Sequence, residues 1–115
     1  MTVTPMQIEK RLTDLSRDID ESHKDLVAAE QAYHTAKAGL EIAMARSRMA
    51  VAHPDHKLTS VQREDMALIE NSEAHMNLAI AEAQVKAARA NANRIRTQVD
   101  IARSVSVSVR TSLDM

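Results

Sequence analysis

The sequence predicts an all-α protein: a long antiparallel helical hairpin of coiled-coil type that assembles into a four-helix bundle. The 115-residue chain has one glycine and one aromatic residue, although 44% of its residues are hydrophobic. Apolar residues recur at alternating spacings of three and four, as in a coiled-coil seam. One polar break near the middle separates two such stretches. We therefore expect a single helical-hairpin domain that spans residues 1–115.

The first helix is expected to span about residues 5–52. Thr4 is a favourable N-cap, Pro5 suits the first helical position, and Gln7 completes a capping box. Two columns of residues, each with a spacing of seven, follow along the helix. The column of larger side chains is Leu12, Ile19, Leu26, Tyr33 and Leu40, and its neighbour is Ile8, Leu15, Ser22, Ala29, Ala36, Ala43 and Ala50. Gly39 interrupts neither column and marks either a close contact or a tolerated position.

The break at residues 53–58 is expected to form the turn, because Pro54 disfavours helical backbone at the residue before it. The second helix, about residues 59–110, starts with a capping box of Thr59 and Gln62. Its seam columns are Leu78, Val85, Ala92 and Val99, and Ala81, Ala88, Ile95, Ala102 and Val109. The segment 104–109 alternates serine and valine, which is a strand signal. Val109 nevertheless stays in its seven-residue column, so a continued helix is favoured there.

The charge distribution favours antiparallel pairing of the two helices. Residues 5–30 carry seven acidic and four basic side chains, whereas residues 84–110 carry one acidic and six basic side chains. Residues 31–52 are mildly basic and residues 60–83 are acidic. A fold-back near residue 56 therefore places opposite charges side by side and disfavours a parallel arrangement. This register places Leu26 opposite Val85 and Leu12 opposite Val99.

A further set of apolar residues lies off the two seams. A two-helix hairpin cannot cover a second apolar face, so we expect a homo-oligomer, with a dimer favoured. Methionine adapts to varied partner surfaces, so the same residues are also candidates for contact with a protein partner. The candidate interface consists of Met44, Met49, Met66, Ile69, Met76 and Ile80.

No pattern of residues supports an enzyme, a cofactor site or a metal site. A di-iron bundle needs Glu-x-x-His motifs, and the sequence contains none. His53 and His56 with Asp55 could approach one metal ion, but a solvated turn explains them better. The chain has no cysteine and no apolar run approaching the ~20 residues of a membrane span. We therefore expect a cytoplasmic protein with no catalytic, cofactor or membrane role.

An alternative function is a nucleic-acid accessory role in replication or recombination, based on the basic distal half of the second helix. Arg89, Arg94 and Arg96 are the candidate contacts. The overall charge of −1 and the absence of aromatic side chains from this basic segment, where they could stack on bases, disfavour this alternative.

Several stretches resemble small accessory proteins encoded by tailed bacteriophages, and together they cover about half of the chain. They are Tyr33-His34-Thr35-Ala36-Lys37-Ala38, Arg63-Glu64, Leu78-Ala79-Ile80-Ala81-Glu82-Ala83-Gln84-Val85-Lys86, Arg94-Ile95-Arg96, Asp100-Ile101-Ala102-Arg103-Ser104 and Val109-Arg110. The resemblance implies a phage-encoded helical protein of the host cytoplasm that lacks an assigned biochemical role. It also implies a partner protein from the host or from phage DNA metabolism, and it assigns no functional residues.

Overall fold

The computed structural model describes residues 3–51 and 58–114, and within these ranges the chain is helical and contains no strand. Helix α1 spans Pro5–Val51, α2 spans Ser60–Glu70 and α3 spans Ser72–Asp114. The all-α prediction is therefore confirmed, including a helical conformation for residues 104–109. Apart from Leu58, the turn predicted at residues 53–58 lies outside the described residues.

Both predicted capping boxes are present. The backbone N–H of Gln7 donates to Thr4 Oγ1 at 3.2 Å, and the backbone N–H of Thr4 donates to Gln7 Oε1 at 3.0 Å. Thr59 and Gln62 make the same two bonds, at 3.1 and 3.0 Å. Each box satisfies backbone donors that a helix N-terminus otherwise leaves unpaired. These local bonds explain why α1 and α2 begin where the sequence predicts.

The second helix was expected to be continuous, and the structure instead divides it at Asn71. The backbone there has φ −106° and ψ 23°, outside the usual helical values. The Asn71 side-chain amide also donates to the Ala67 carbonyl at 2.8 Å, which competes with the regular helical pattern. Backbone bonds from Asn71 to Ala67 and from His75 to Asn71 still follow the four-residue spacing. The helical periodicity of the side chains therefore continues from α2 into α3.

The chain divides into two units, of which unit 1 comprises residues 1–27 and 86–115 and unit 2 comprises residues 28–85. In unit 1, residues from the predicted seam columns are buried, and Leu15 has no exposed surface. The others that are buried in unit 1 are Ile8, Ser22, Ile95 and Val99. The sequence columns thus identify the residues that pack in this unit.

Unit 2 contains a small hydrophobic cluster of Leu40, Met44 and Ala67, against which Ala74 and Leu78 pack, and Ala81 and Val85 are also buried in this unit. Beside the cluster, the Asn71 amide nitrogen donates to Oγ of Ser47 at 2.9 Å. The exposed fraction of Ser47 is only 6%. An exposed ion pair, Arg48 Nε to Glu64 Oε1 at 2.6 Å, also joins α1 to α2.

The register between the helices differs from the expected one by about seven residues. In unit 1, Leu12 lines a groove with Ser106 and Val109, whereas we expected it opposite Val99. A shift of one heptad leaves every apolar column in the seam, so the spacing of hydrophobic residues cannot decide between the two registers.

The polar residues of unit 2 explain which register forms. The expected register would place Asn71 opposite Leu40, where its amide would keep the bond to the Ala67 carbonyl but lose its polar partner on α1, a loss of about 1 kcal/mol. In the structure Asn71 instead meets Ser47, so that a polar side chain faces a polar side chain.

We predict that Gly39→Ala stabilises the protein by about 1 kcal/mol and raises Tm by about 4 °C. Apart from the neighbouring residues and backbone of its own helix, a methyl group added at Gly39 would have no atom within 4 Å. Gly39 is therefore a tolerated glycine and does not mark a close contact within the chain. Urea and thermal unfolding monitored by circular dichroism measure the change. A destabilised variant would show that another molecule approaches the helix at this position.

We also predict a coupling of about 1 kcal/mol between Ser47 and Asn71 in a double-mutant cycle of Ser47→Ala and Asn71→Ala. The coupling arises because either change removes the same hydrogen bond, so the two losses of unfolding free energy do not add. A cycle of Asn71→Ala with Gln31→Ala, at an exposed site on α1, serves as the control and should be additive. Additivity of the Ser47 and Asn71 changes would contradict this explanation of the register.

Candidate interaction surface

The outer surface of unit 2 carries large hydrophobic side chains that the chain itself leaves uncovered. Met49 is 79% exposed, Ile69 73%, Met76 65% and Ile80 54%. Met66 and Ile42 are exposed as well. Five of the six residues that the sequence placed at an interface are therefore accessible to another molecule. Their role in binding stays a prediction.

Met44 is the exception and corrects the sequence analysis. We expected it to lie off the seam with Met49, but it is 8% exposed and packs in the core of unit 2. Its Sδ atom also lies 3.7 Å from the Asn71 amide nitrogen. Position 44 lies one residue after the seam position Ala43, and the long methionine side chain reaches the space that the small Ala67 leaves. Met44 is therefore a core residue of unit 2 and is not accessible to another molecule.

On α1, the positions farthest from the seam carry no charge throughout unit 2. We call this set the α1 outer face, and its residues are Ala28, Gln31, Thr35, Ala38, Ile42, Ala45 and Met49. All of them are exposed. Positions that point away from the partner helix in a coiled coil are usually charged or polar, so an alanine-rich and apolar outer face is unusual for a solvated surface.

The corresponding positions on α2 and the start of α3 form a second exposed face. We call it the α2–α3 stripe, and it consists of Met66, Ile69, Glu73, Met76, Ile80 and Ala83. Glu73 is its only charged member. The spacing of these residues alternates between three and four, so the stripe has the pattern of a second seam. Four of its members, Met66, Ile69, Met76 and Ile80, are interface candidates predicted from the sequence.

The part of α1 that belongs to unit 1 provides a contrast within the same helix. Its outer positions carry five charges, on Lys10, Asp14, Arg17, Glu21 and Lys24, and all but Asp14 are exposed. Arg17 and Asp14 approach each other at 3.7 Å across one turn. This is the ordinary pattern of a solvated helix face. The loss of charge in unit 2 is therefore a local property of the chain and not a general consequence of its composition.

The three arginines considered for nucleic-acid binding have different surroundings. Arg94 donates to Asn91 Oδ1 at 2.8 Å on the outer side of α3. Arg96 lines a groove with His23 and Asp100. Positions 94 and 96 lie about 160° apart around a helix of 3.6 residues per turn, so these two side chains project from nearly opposite sides of α3. Arg89 also interacts with another group of the protein. The three residues do not form one basic face.

Unit 1 contains an apolar groove that the sequence analysis did not identify. It is lined by Val3, Ile8, Ile101 and Val105 together with Gln7, Arg11, Gln98 and Ala102. Ile101 is 58% exposed. Its spacing from Ile80 is 21 residues, or three heptads, so the seven-residue periodicity could have revealed it as a continuation of the α2–α3 stripe.

Within the described residues, no group of three His, Cys, Asp or Glu side chains is arranged to hold a metal ion. His53 and His56 lie outside those residues. No described helix carries an apolar stretch long enough to cross a membrane. No protein-family model, curated protein or solved structure matches the chain.

Proposed function

We propose that the chain is a non-enzymatic helical interaction protein that folds as an antiparallel hairpin and self-associates through the outer surface of unit 2. Two hairpins then form a four-helix assembly. The observation that carries the proposal is the exposed α2–α3 stripe, in which apolar side chains have the spacing of a packing seam but remain accessible to another molecule.

The contacts within each unit support the hairpin. In unit 2, the Asn71–Ser47 bond and the Arg48–Glu64 ion pair join the end of α1 to α2 and its junction with α3. In unit 1, residues at the start of α1 lie beside residues near the end of α3, such as Pro5 beside Leu113. In each unit these contacts support an antiparallel pairing of α1 with the later helices.

The amount of exposed surface supports self-association. The chain exposes 8835 Å². A compact monomer of its 12.7 kDa mass would expose roughly 6,200 Å². The difference is larger than the roughly 800 Å² that each partner contributes to a standard protein interface. A second copy that covers the stripe would bury part of this excess surface.

A protein partner is the second part of the proposal. Three of the five exposed candidate residues are Met49, Met66 and Met76, and flexible methionine side chains adapt to different partner shapes. The resemblance to bacteriophage accessory proteins directs the search to proteins of the host or of phage DNA metabolism. The nucleic-acid alternative has less support because Arg89, Arg94 and Arg96 do not share a face.

We predict that Met76→Asp with Ile80→Asp dissociates the oligomer, raising its dissociation constant by about a hundredfold. The two substitutions place four carboxylates in the interface of a dimer, where they would be desolvated without partners. Sedimentation equilibrium over a range of protein concentrations measures the effect.

The matched control is Met6→Asp with Val107→Asp, which changes one methionine and one aliphatic residue, both exposed, outside unit 2. Its dissociation constant should equal that of the original protein, and circular dichroism should show both variants to be helical. A monomeric original protein at micromolar concentration, or equal effects of the two variants, would reject the assignment of the stripe.

A further inference from the structure

The outer face of α3 extends beyond the α2–α3 stripe and keeps the same character. α3 is a single helix, and from residue 73 to residue 101 its outer positions are Glu73, Met76, Ile80, Ala83, Ala87, Ala90, Arg94, Thr97 and Ile101. All nine are exposed. Their spacing alternates between three and four throughout, which is the spacing of a helix–helix seam. Only Glu73 and Arg94 are charged.

The side chains of this face are graded in size. Ala83, Ala87 and Ala90 lie in the middle, and the larger Met76 and Ile80 precede them. A run of alanines lets a second helix come close but offers little area by itself, so it packs best against larger side chains. A second α3 that runs in the opposite direction supplies them. With a two-fold axis between positions 81 and 82, Ile80 faces Ala83 of the second copy and Met76 faces its Ala87.

The two charges fit the same arrangement. In this register Glu73 faces Ala90 of the second copy, and Arg94 of that copy lies one helical turn further on, about 6 Å along the axis. The long arginine side chain can span that distance. The two-fold symmetry makes the same pair twice. Arg94 is available for it, since its described partner is the neutral Asn91.

Other pairings of this face are less favourable. A parallel in-register pairing places Glu73 against Glu73 and Arg94 against Arg94, and like charges in contact disfavour association. An antiparallel pairing centred near position 74 would bring the two Glu73 side chains together near the axis. The pairing centred between positions 81 and 82 combines large-to-small packing with opposite charges.

We propose that the occupant of this face is a second copy of the same chain, bound through antiparallel pairing of the two α3 helices with Glu73 of each copy beside Arg94 of the other. This inference rests on the self-association proposed above and specifies its contact. The pairing is isologous, so it closes as a dimer and does not extend into a filament through this face.

The test uses charge reversal at the two sites. Glu73→Arg alone and Arg94→Glu alone each create two like-charge contacts per dimer, so each should raise the dissociation constant at least about tenfold. The double variant, Glu73→Arg with Arg94→Glu, restores opposite charges and should return the dissociation constant to within about threefold of the original. A mixture of the two single variants should form a heterodimer that is tighter than either variant alone. Analytical ultracentrifugation and native mass spectrometry give these values.

The control is Glu21→Arg, the same change at an exposed outer position of α1, which should leave the dissociation constant unchanged. Single variants that dimerise as well as the original protein, or a double variant as weak as the singles, would overturn the α3 pairing. A monomeric original protein would instead reject the self-association itself. Tighter association of Glu73→Gln would favour a pairing that brings two Glu73 side chains together and would also overturn the proposal.

Discussion

The hydrogen bond between Asn71 and Ser47 decides how α1 meets the later helices in unit 2. The seam around it is a heptad repeat, and such a repeat can slip by seven residues without losing an apolar contact. A single half-buried asparagine removes that freedom, because only one register gives its amide a polar partner on α1. The same side chain also bonds the Ala67 carbonyl and interrupts the helix at position 71. Register and helix break therefore have one physical cause.

The seam is narrow because its second column is composed mostly of small residues. Alanine and serine let two helices approach closely, but each contributes little buried apolar area, and two of the five buried hydrophobic residues of unit 2 are alanines, Ala67 and Ala81. With one aromatic residue in the chain, no large side chain compensates. The shortage of internal burial and the exposed methionines and isoleucines of unit 2 are consequences of the same composition. The proposed self-association would add stability by burying these outer faces against another helix.

The distribution of charge along the outer positions indicates which faces the proposed self-association would bury. In unit 1 the outer positions of α1 are charged and suit water. In unit 2 the outer positions of both α1 and α2–α3 are mostly apolar, and Glu73 is the only charged residue among them. Charges are expensive to desolvate, so their absence from exposed positions is more informative than the presence of any single hydrophobic residue. On α3 the two charges that remain lie where an antiparallel second copy would neutralise them.

The sequence by itself determined the helical class, both capping boxes and the seam columns, because each depends on neighbours within a few residues. Five of the six interface candidates that it identified are exposed, since a helix places residues three and four apart on one face. The tertiary structure decided the rest. It moved Met44 into the core because the small Ala67 leaves room there, and it displaced the register by a heptad because Asn71 needs Ser47. Periodicity repeats every seven residues, so only a contact between distant, non-repeating residues can choose one alignment among several equivalent ones.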